Sequence, residues 1–339
     1  MPSFPLHSHS FSAPYAARLT PRVHCTRDEL AWAATTVGKR SVQHVLRHGL
    51  SARYEIVARL AILHASLVEA PGGALRRSDT YRHALDPSEK GAYSYFLGLT
   101  TAKLLAERFL ETPWLIHLDV YWTHLNPTMA WHSRPAAFRR RKPDLVGLDA
   151  ARKWVVLETK GRTDQPKSDV LPKAKQQTRF LRRIGGQYPV LRAGVVAYFD
   201  DDDFEAVWED PEAPEAEVDA EVDTGAFLRA YYEPLANLTA EGITAETTDD
   251  LPELRVTYLE EIDVTVGLDN RVIGWLNSGE GQFPQLGGSR TLLPDARFPV
   301  VQGEQPVGGY LGSDGVLVSL GPNWSLVMSG DAAGGHSTA

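Results

Sequence analysis

The chain has 339 residues, room for two domains or for one domain with large additions, and its 43% hydrophobic content can build a sizeable core. Its single cysteine, Cys25, excludes an internal disulfide and any cysteine-built zinc site. No apolar run approaches the ~18 residues of a membrane span, and MPSFPLHSHSFSAPYAARL lacks the charged start and apolar block of a secretory signal, so a soluble cytoplasmic protein is expected.

The formal net charge of −8 hides an asymmetry. Residues 1–199 carry 30 Lys and Arg against 15 Asp and Glu; residues 200–339 carry 5 Arg, no Lys and 28 Asp and Glu. A basic half attracts a polyanion, and an acidic half repels it or docks onto the basic half. Such a split points to nucleic acid as a partner.

Residues 1–27, rich in Pro, Ser and His, are expected to be poorly ordered. From Thr26 to about Ala70 the pattern is helical, with Thr26 and Glu29 spaced as a capping box, and Pro71-Gly72-Gly73 ends it. A longer helix capped by Ser88 runs to about Leu110, stopped by Pro113. Strands are expected at 114–122, 142–149 and 153–160, then a helix from Ser168 or Asp169 to Ile184 closed by Gly185-Gly186. A strand at 189–199 completes an α-β-β-β-α-β order over 89–199. The acidic stretch 200–223 reads as an exposed connection. Beyond it come a helix, GAFLRAYYEPLANL, and strands including EIDVTVGL, RVIGWL and GVLVSL. Residues 279–309 read as loops, and 331–339 as a disordered tail.

The hairpin at 142–160 carries the chemistry. If Asp149 pairs with Lys153 across the turn, paired numbers sum to 302 and Asp144 stands opposite Glu158. Asp144, Glu158 and Lys160 then share one face, and directly opposed residues have Cβ atoms about 4.5–5.5 Å apart. Two carboxylates so close repel unless a cation lies between them, and hard oxygen ligands suit Mg²⁺ or Mn²⁺. A lysine beside such a centre positions a water, stabilises negative charge or assists deprotonation. On the following helix, Val170, Ala174, Gln177, Leu181 and Ile184 form one stripe at about 100° per residue. Gln177 needs a partner there: either the site or a nearby backbone carbonyl. Arg139, Arg140, Arg141 and Lys142, with Lys173 downstream, are candidates for sequence-independent phosphate contacts. The sequence holds no HExxH and no GxSxG, and the spacing of His117, His124 and His132 matches no ligand signature.

The segment R-K-P-D-L-V-G-L-D followed by E-T-K-G-R resembles the PD-(D/E)xK nuclease superfamily over about residues 85–200. Pro143-Asp144 matches its PD element and Glu158-Thr159-Lys160 its (D/E)xK element. The resemblance implies an α/β fold with a restriction-endonuclease-like αβββαβ core and a mixed sheet at 85–200. An N-terminal helical extension at 1–84 precedes that core, and an acidic α+β region at 201–330 follows it. It implies Mg²⁺ or Mn²⁺ held by Asp144, Glu158 and the Thr159 carbonyl, and a water oriented by Lys160. It also implies a carboxylate from the first helix, Glu89 or Glu107, and a second-helix glutamine, where Gln176 with Phe180 fits the family spacing and Gln177 fits the helix phase. The implied activity is hydrolysis of phosphodiesters, with DNA as the substrate, in restriction, phage defence or repair. The alternatives are a non-catalytic DNA-binding protein on the same fold, or a protein whose acidic half docks a partner; a homodimer is compatible with each.

Overall fold

The computed structural model describes residues 1–37, 51–118, 128–131, 142–210, 218–245, 251–279, 281–292 and 308–324. The first elements are β1 (Ser3–His9), β2 (Arg22–His24), α1 (Arg27–Thr36), α2 (Ser51–Ser66), β3 (Leu67–Glu69) and β4 (Leu75–Arg77). The reading of residues 1–27 as poorly ordered is therefore corrected. Phe4 and Leu6 alternate with the less buried Pro5 and His7 along β1, and that period of two places both in the core. The expected capping box at α1 is present: Thr26 Oγ1 accepts from the Glu29 N–H at 3.0 Å.

The middle of the chain forms α3 (Pro87–Leu110), β5 (Trp114–His117), β6 (Thr128–Trp131), β7 (Leu145–Leu148), β8 (Trp154–Gly161), α4 (Val170–Thr178), β9 (Leu181–Ile184) and β10 (Leu191–Asp200). With β6 and β9 set aside, the order is α-β-β-β-α-β. Asp86, not Ser88, caps α3, and Pro87 occupies its first turn. The expected helix to Ile184 is shorter. Residues 181–184 turn into a strand, where the Arg192 guanidinium donates to the carbonyls of Leu181 and Arg182 at 3.0 and 2.8 Å. Of the expected stripe, Val170 and Ala174 are buried on the helix, Thr178 takes its last inward position, and Leu181 and Ile184 are buried from the strand.

The remainder comprises β11 (Asp203–Glu209), β12 (Val218–Glu221), α5 (Thr224–Thr239), β13 (Ile243–Ala245), β14 (Leu254–Leu259), β15 (Val264–Asp269), α6 (Asn270–Ser278), β16 (Arg290–Leu292), β17 (Gly309–Leu311) and β18 (Val316–Leu320). Part of the acidic stretch taken for an exposed connection is β11, fully paired with β10. Phe204, Ala206 and Trp208 are buried, and Asp203, Glu205, Val207 and Glu209 alternate with them, each partly exposed. RVIGWL, expected as a strand, is helix α6: Asp269 caps it by accepting from the Arg271 N–H at 2.8 Å, and Val272, Ile273 and Trp275 are buried along it. The expected tail at 331–339 lies outside the described residues.

The result is a mixed α/β protein. The main sheet runs β2-β1-β11-β10-β8-β7-β5, with β3 and β4 joined through β11. It is mixed: β1 and β11 are parallel, as are β8 and β10, and the remaining pairs are antiparallel. A small sheet, β6-β12-β9, stands apart, and the C-terminal sheet is β13-β14-β15-β18-β17-β16. One buried cluster contains Phe4, Trp32, Leu104, Val156, Phe227 and Val266, so the N-terminal, central and C-terminal parts share a core.

Acidic residues beyond 199 meet basic residues before it: Asp202 with Arg82, Asp203 with Arg76, Glu209 with Lys175, and Asp219 with Arg182. Partly exposed pairs of this kind add little stability, but they consume basic charge on the first half.

Asp314 is fully buried, at 0% exposure. Its Oδ1 accepts from Trp32 Nε1 at 3.1 Å and from the Val316 N–H at 3.0 Å; its Oδ2 accepts from the Tyr231 hydroxyl at 2.5 Å. Lys103 Nζ, also at 0% exposure, lies 3.7 Å from Oδ2 and 4.4 Å from the centre of the Trp32 ring. Removing one partner leaves the other charge buried and uncompensated. Asp314→Ala is therefore expected to lower unfolding free energy by about 3–5 kcal/mol in urea titration; a loss under about 1 kcal/mol would show that the pair is dispensable.

Candidate active site

β7 and β8 pair antiparallel with Leu145 opposite Leu157 and Leu148 opposite Trp154, and the turn closes with the Asp149 N–H donating to the Lys153 carbonyl at 2.9 Å. This register places Asp144 opposite Glu158. Each carboxylate reaches across the hairpin to the other strand's backbone. Glu158 Oε2 accepts from the Asp144 N–H at 2.8 Å, and Asp144 Oδ2 accepts from the Thr159 N–H at 3.1 Å. Pro143 falls opposite Thr159 in the same register and has no N–H, so it cannot supply the next ladder bond to the Thr159 carbonyl.

Lys160 completes the group. Its Nζ donates to Glu158 Oε1 and lies 3.8 Å from Asp144 Oδ2. Glu158 has no exposed surface, whereas the side chains of Asp144 and Lys160 are 20% and 25% exposed, so the group opens toward solvent on their side. Burial pushes the Glu158 carboxyl up to about 8; the Asp144 charge adds to the rise and Lys160 opposes it. Thr159 Oγ1 is buried without a hydrogen-bond partner.

Two helices flank β8 on opposite faces. Gly194, paired with Glu158, packs against α4: a Cβ there would stand 3.1 Å from that of Ala174. The alternate residues face α3. A Cβ on Gly161 would stand 1.7 Å from the Ser94 carbonyl oxygen, so glycine permits this close approach. The trio therefore lies on the α4 side of the sheet.

That geometry sorts the other expected residues. Gln177 is partly buried and its Nε2 donates to the Lys142 carbonyl at 3.3 Å, the backbone partner considered from sequence. It ties α4 to the residue before Pro143-Asp144. Gln176 is exposed and Phe180 is buried. Glu89 stays apart: it is exposed at the start of α3, and its Oε2 accepts from the Asp86 N–H at 3.0 Å as part of the helix cap. Glu107 is buried further along α3, beside Lys103 and Asp314. Lys173 is exposed and paired with Asp169 at 2.5 Å. Lys142 is half-buried, while Arg139, Arg140 and Arg141 lie outside the described residues.

Sequence reasoning missed the Tyr95–His117 contact, where the Tyr95 hydroxyl lies 3.0 Å from Nε2. His117 stands at the end of β5, and the neighbouring Leu118 N–H donates to the Asp144 carbonyl at 2.8 Å. Only the pairing of β5 with β7 reveals that proximity.

The fold and site thus define a mixed α/β protein with a carboxylate pair, Glu158 buried and Asp144 partly exposed, bridged by a lysine at the edge of a central hairpin. Comparisons with protein-family models, curated proteins and solved structures find no match. Among the described residues, no group of three or more His, Cys, Asp and Glu side chains is placed to hold a metal; Asp144 and Glu158 are two.

Glu158 sets a pH dependence. Its folded value lies above that of an exposed glutamate, so between about pH 4.5 and 8 the folded state holds a proton that the unfolded state has lost. Its contribution is therefore complete below that window and declines as pH rises through it. At about 1.4 kcal/mol per pH unit, the decline is on the order of 5 kcal/mol. In EDTA, the stability gap between Glu158→Gln and the parent should move in the variant's favour from pH 5 to pH 8 by thermal denaturation. A gap independent of pH would refute the raised carboxyl.

Proposed function

We propose that this chain is a divalent-metal-dependent nuclease of the PD-(D/E)xK type, acting on DNA. The observation that carries the proposal is the reciprocal locking of Asp144 and Glu158 across the hairpin, with the Lys160 ammonium against both. A fold with a restriction-endonuclease-like core is part of the same reading, supported by the α-β-β-β-α-β order and by the trio's place on the α4 face.

The residues present suit Mg²⁺ or Mn²⁺. Asp144 and Glu158 are hard oxygen donors, Thr159 offers a carbonyl that Pro143 cannot satisfy, and the buried Glu158 charge calls for a compensating cation. Three protein oxygens suffice for Mg²⁺, which retains several waters. When bound, the ion supplies charge stabilisation at the phosphodiester and makes water more acidic.

The protein's own groups do the rest. Asp144 and Glu158 are held in place by backbone N–H groups on opposing strands, so neither carboxylate must reorganise for the reaction. Lys160 has three donors; those not spent on Glu158 and Asp144 can hold a water and stabilise negative charge. Gln177 fixes the backbone leading into Asp144. Lys142 brings positive charge to the same end of the hairpin, where a phosphate backbone would lie.

Nicking of plasmid DNA is expected with Mg²⁺ or Mn²⁺, and is expected to cease in EDTA and in Asp144→Ala. Full activity in EDTA would exclude the mechanism. Lys160→Ala should lower turnover by more than about 100-fold while DNA binding persists, because the lysine acts on the reacting groups. An inactive parent that still binds DNA would instead favour the non-catalytic reading.

A further inference from the structure

The short hairpin between β9 and β10 carries an exposed aromatic ring with a guanidinium against it. Ile184 and Gln187 exchange backbone hydrogen bonds at 2.9 and 3.0 Å across Gly185-Gly186, whose φ values are 55° and 74°. Both central residues of so tight a turn take positive φ, which glycine adopts without strain. One step further from the turn, Arg183 stands across from Tyr188. Its Nη2 donates to the Tyr188 hydroxyl at 3.0 Å, and its Cζ lies 4.5 Å from the ring centre. Tyr188 is nevertheless 54% exposed, and among the described residues no other aromatic ring packs on it. A fixed turn thus presents to solvent a ring with a cation on one face.

The hairpin lies on the trio's side of the sheet. Glu158 pairs with Gly194, which packs against α4. Arg192, two residues before Gly194, points to that same side, where its guanidinium donates to the Leu181 and Arg182 carbonyls of β9. The Val190 N–H donates to the Trp154 carbonyl at 2.9 Å. The strand after the turn therefore joins β8 four residues, or about 13 Å, before Glu158.

Charge along this stretch is unevenly spent. Lys175 and Arg182 are held by Glu209 and Asp219. Arg179, which follows α4, and Arg183 are partly exposed, and among the described residues neither meets a carboxylate. A guanidinium without a carboxylate is matched to a phosphate. An accessible ring beside it is matched to the face of an unpaired base. Bases in a duplex offer the grooves only their edges.

We propose that this hairpin docks a single, unpaired DNA strand, with Tyr188 stacking on a base and Arg183 and Arg179 meeting phosphates of the strand. The proposal rests on the nuclease reading only for where the strand leads; the docking itself needs neither metal nor cleavage. Sequence preference is weak, because every base has a ring face.

The test is fluorescence anisotropy in EDTA with an oligothymidylate of about 12 nucleotides, within the site sizes usual for such surfaces. The parent should bind it more tightly than a duplex of the same length. Tyr188→Ala should weaken the strand by about 10-fold, whereas Tyr188→Phe, which keeps the ring and drops the hydroxyl, should bind within about 2-fold of the parent. Arg183→Gln should weaken it and lower the slope of log affinity against log salt by about 0.7. Tyr188→Leu serves should Tyr188→Ala fail to fold. Undiminished binding in Tyr188→Ala, equal affinity for strand and duplex, or no binding at about 1 mM overturns the proposal. Polyglutamate bound as tightly as the strand also overturns it and assigns the patch to an acidic protein. A parent that binds the strand through Tyr188 yet nicks no plasmid with Mg²⁺ upholds the docking and sinks the nuclease reading, so the two failures are told apart.

Discussion

The buried contact between Lys103 and Asp314 is the constraint around which the molecule is assembled. Two ions without exposed surface are costly to desolvate, and here the cost is offset by donors from widely separated segments: Trp32 from α1, Tyr231 from α5 and the Val316 backbone from β18. Asp314 also accepts Tyr232 through its backbone carbonyl, at 2.7 Å. Satisfying that carboxylate requires the N-terminal helix, the central helix and the C-terminal hairpin to meet, so basic and acidic halves fold against each other.

The carboxylate pair rests on a different economy. Antiparallel pairing would ordinarily place ladder bonds at the end of β7, but Pro143 has no N–H to give. The Thr159 carbonyl is thereby left without its ladder donor, while the side chains of Asp144 and Glu158 each accept from an N–H of the opposite strand. The arrangement costs stability, because one of two neighbouring carboxylates is fully buried. Lys160 and a cation are the groups able to repay it. This is the physical link between a local defect in the sheet and the proposed chemistry.

The acidic surplus beyond residue 199 is in part spent inside the molecule. Arg76, Arg82, Lys175 and Arg182 are each engaged by a carboxylate from β11, β12 or the turn before β11. Positive charge available to a polyanion is therefore less than the composition of the first half suggests. Lys173 is exposed on α4 and shares its charge with Asp169. An interface of this kind would owe its selectivity to position near the trio more than to total charge.

Several features were legible in the sequence because they are local. The turn after Asp149 sets the register, and the register alone brings Asp144 to Glu158. The capping box at Thr26 and the stop of α3 before Pro113 are likewise local chemistry. Errors arose where composition outweighed period. The acidic run hid the alternation of Phe204, Ala206 and Trp208, and the Pro- and His-rich start hid that of Phe4 and Leu6. RVIGWL is apolar enough for a strand, yet Asp269 at its start caps a helix. Other features depended on partners distant in sequence, which no periodicity records: Leu181 to Ile184 became a strand because β12 and Arg192 were there to pair with it, Glu89 turned to its own helix cap, and Gln177 found the Lys142 carbonyl. The sequence by itself determined the hairpin and its charged face, since neighbouring residues and a tight turn suffice to specify them. Tertiary structure alone decided which face met α4, which carboxylate was buried, and that Tyr188 stays exposed beside Arg183 on the trio's side of the sheet, because burial is a property of what packs against a residue and not of the residue itself.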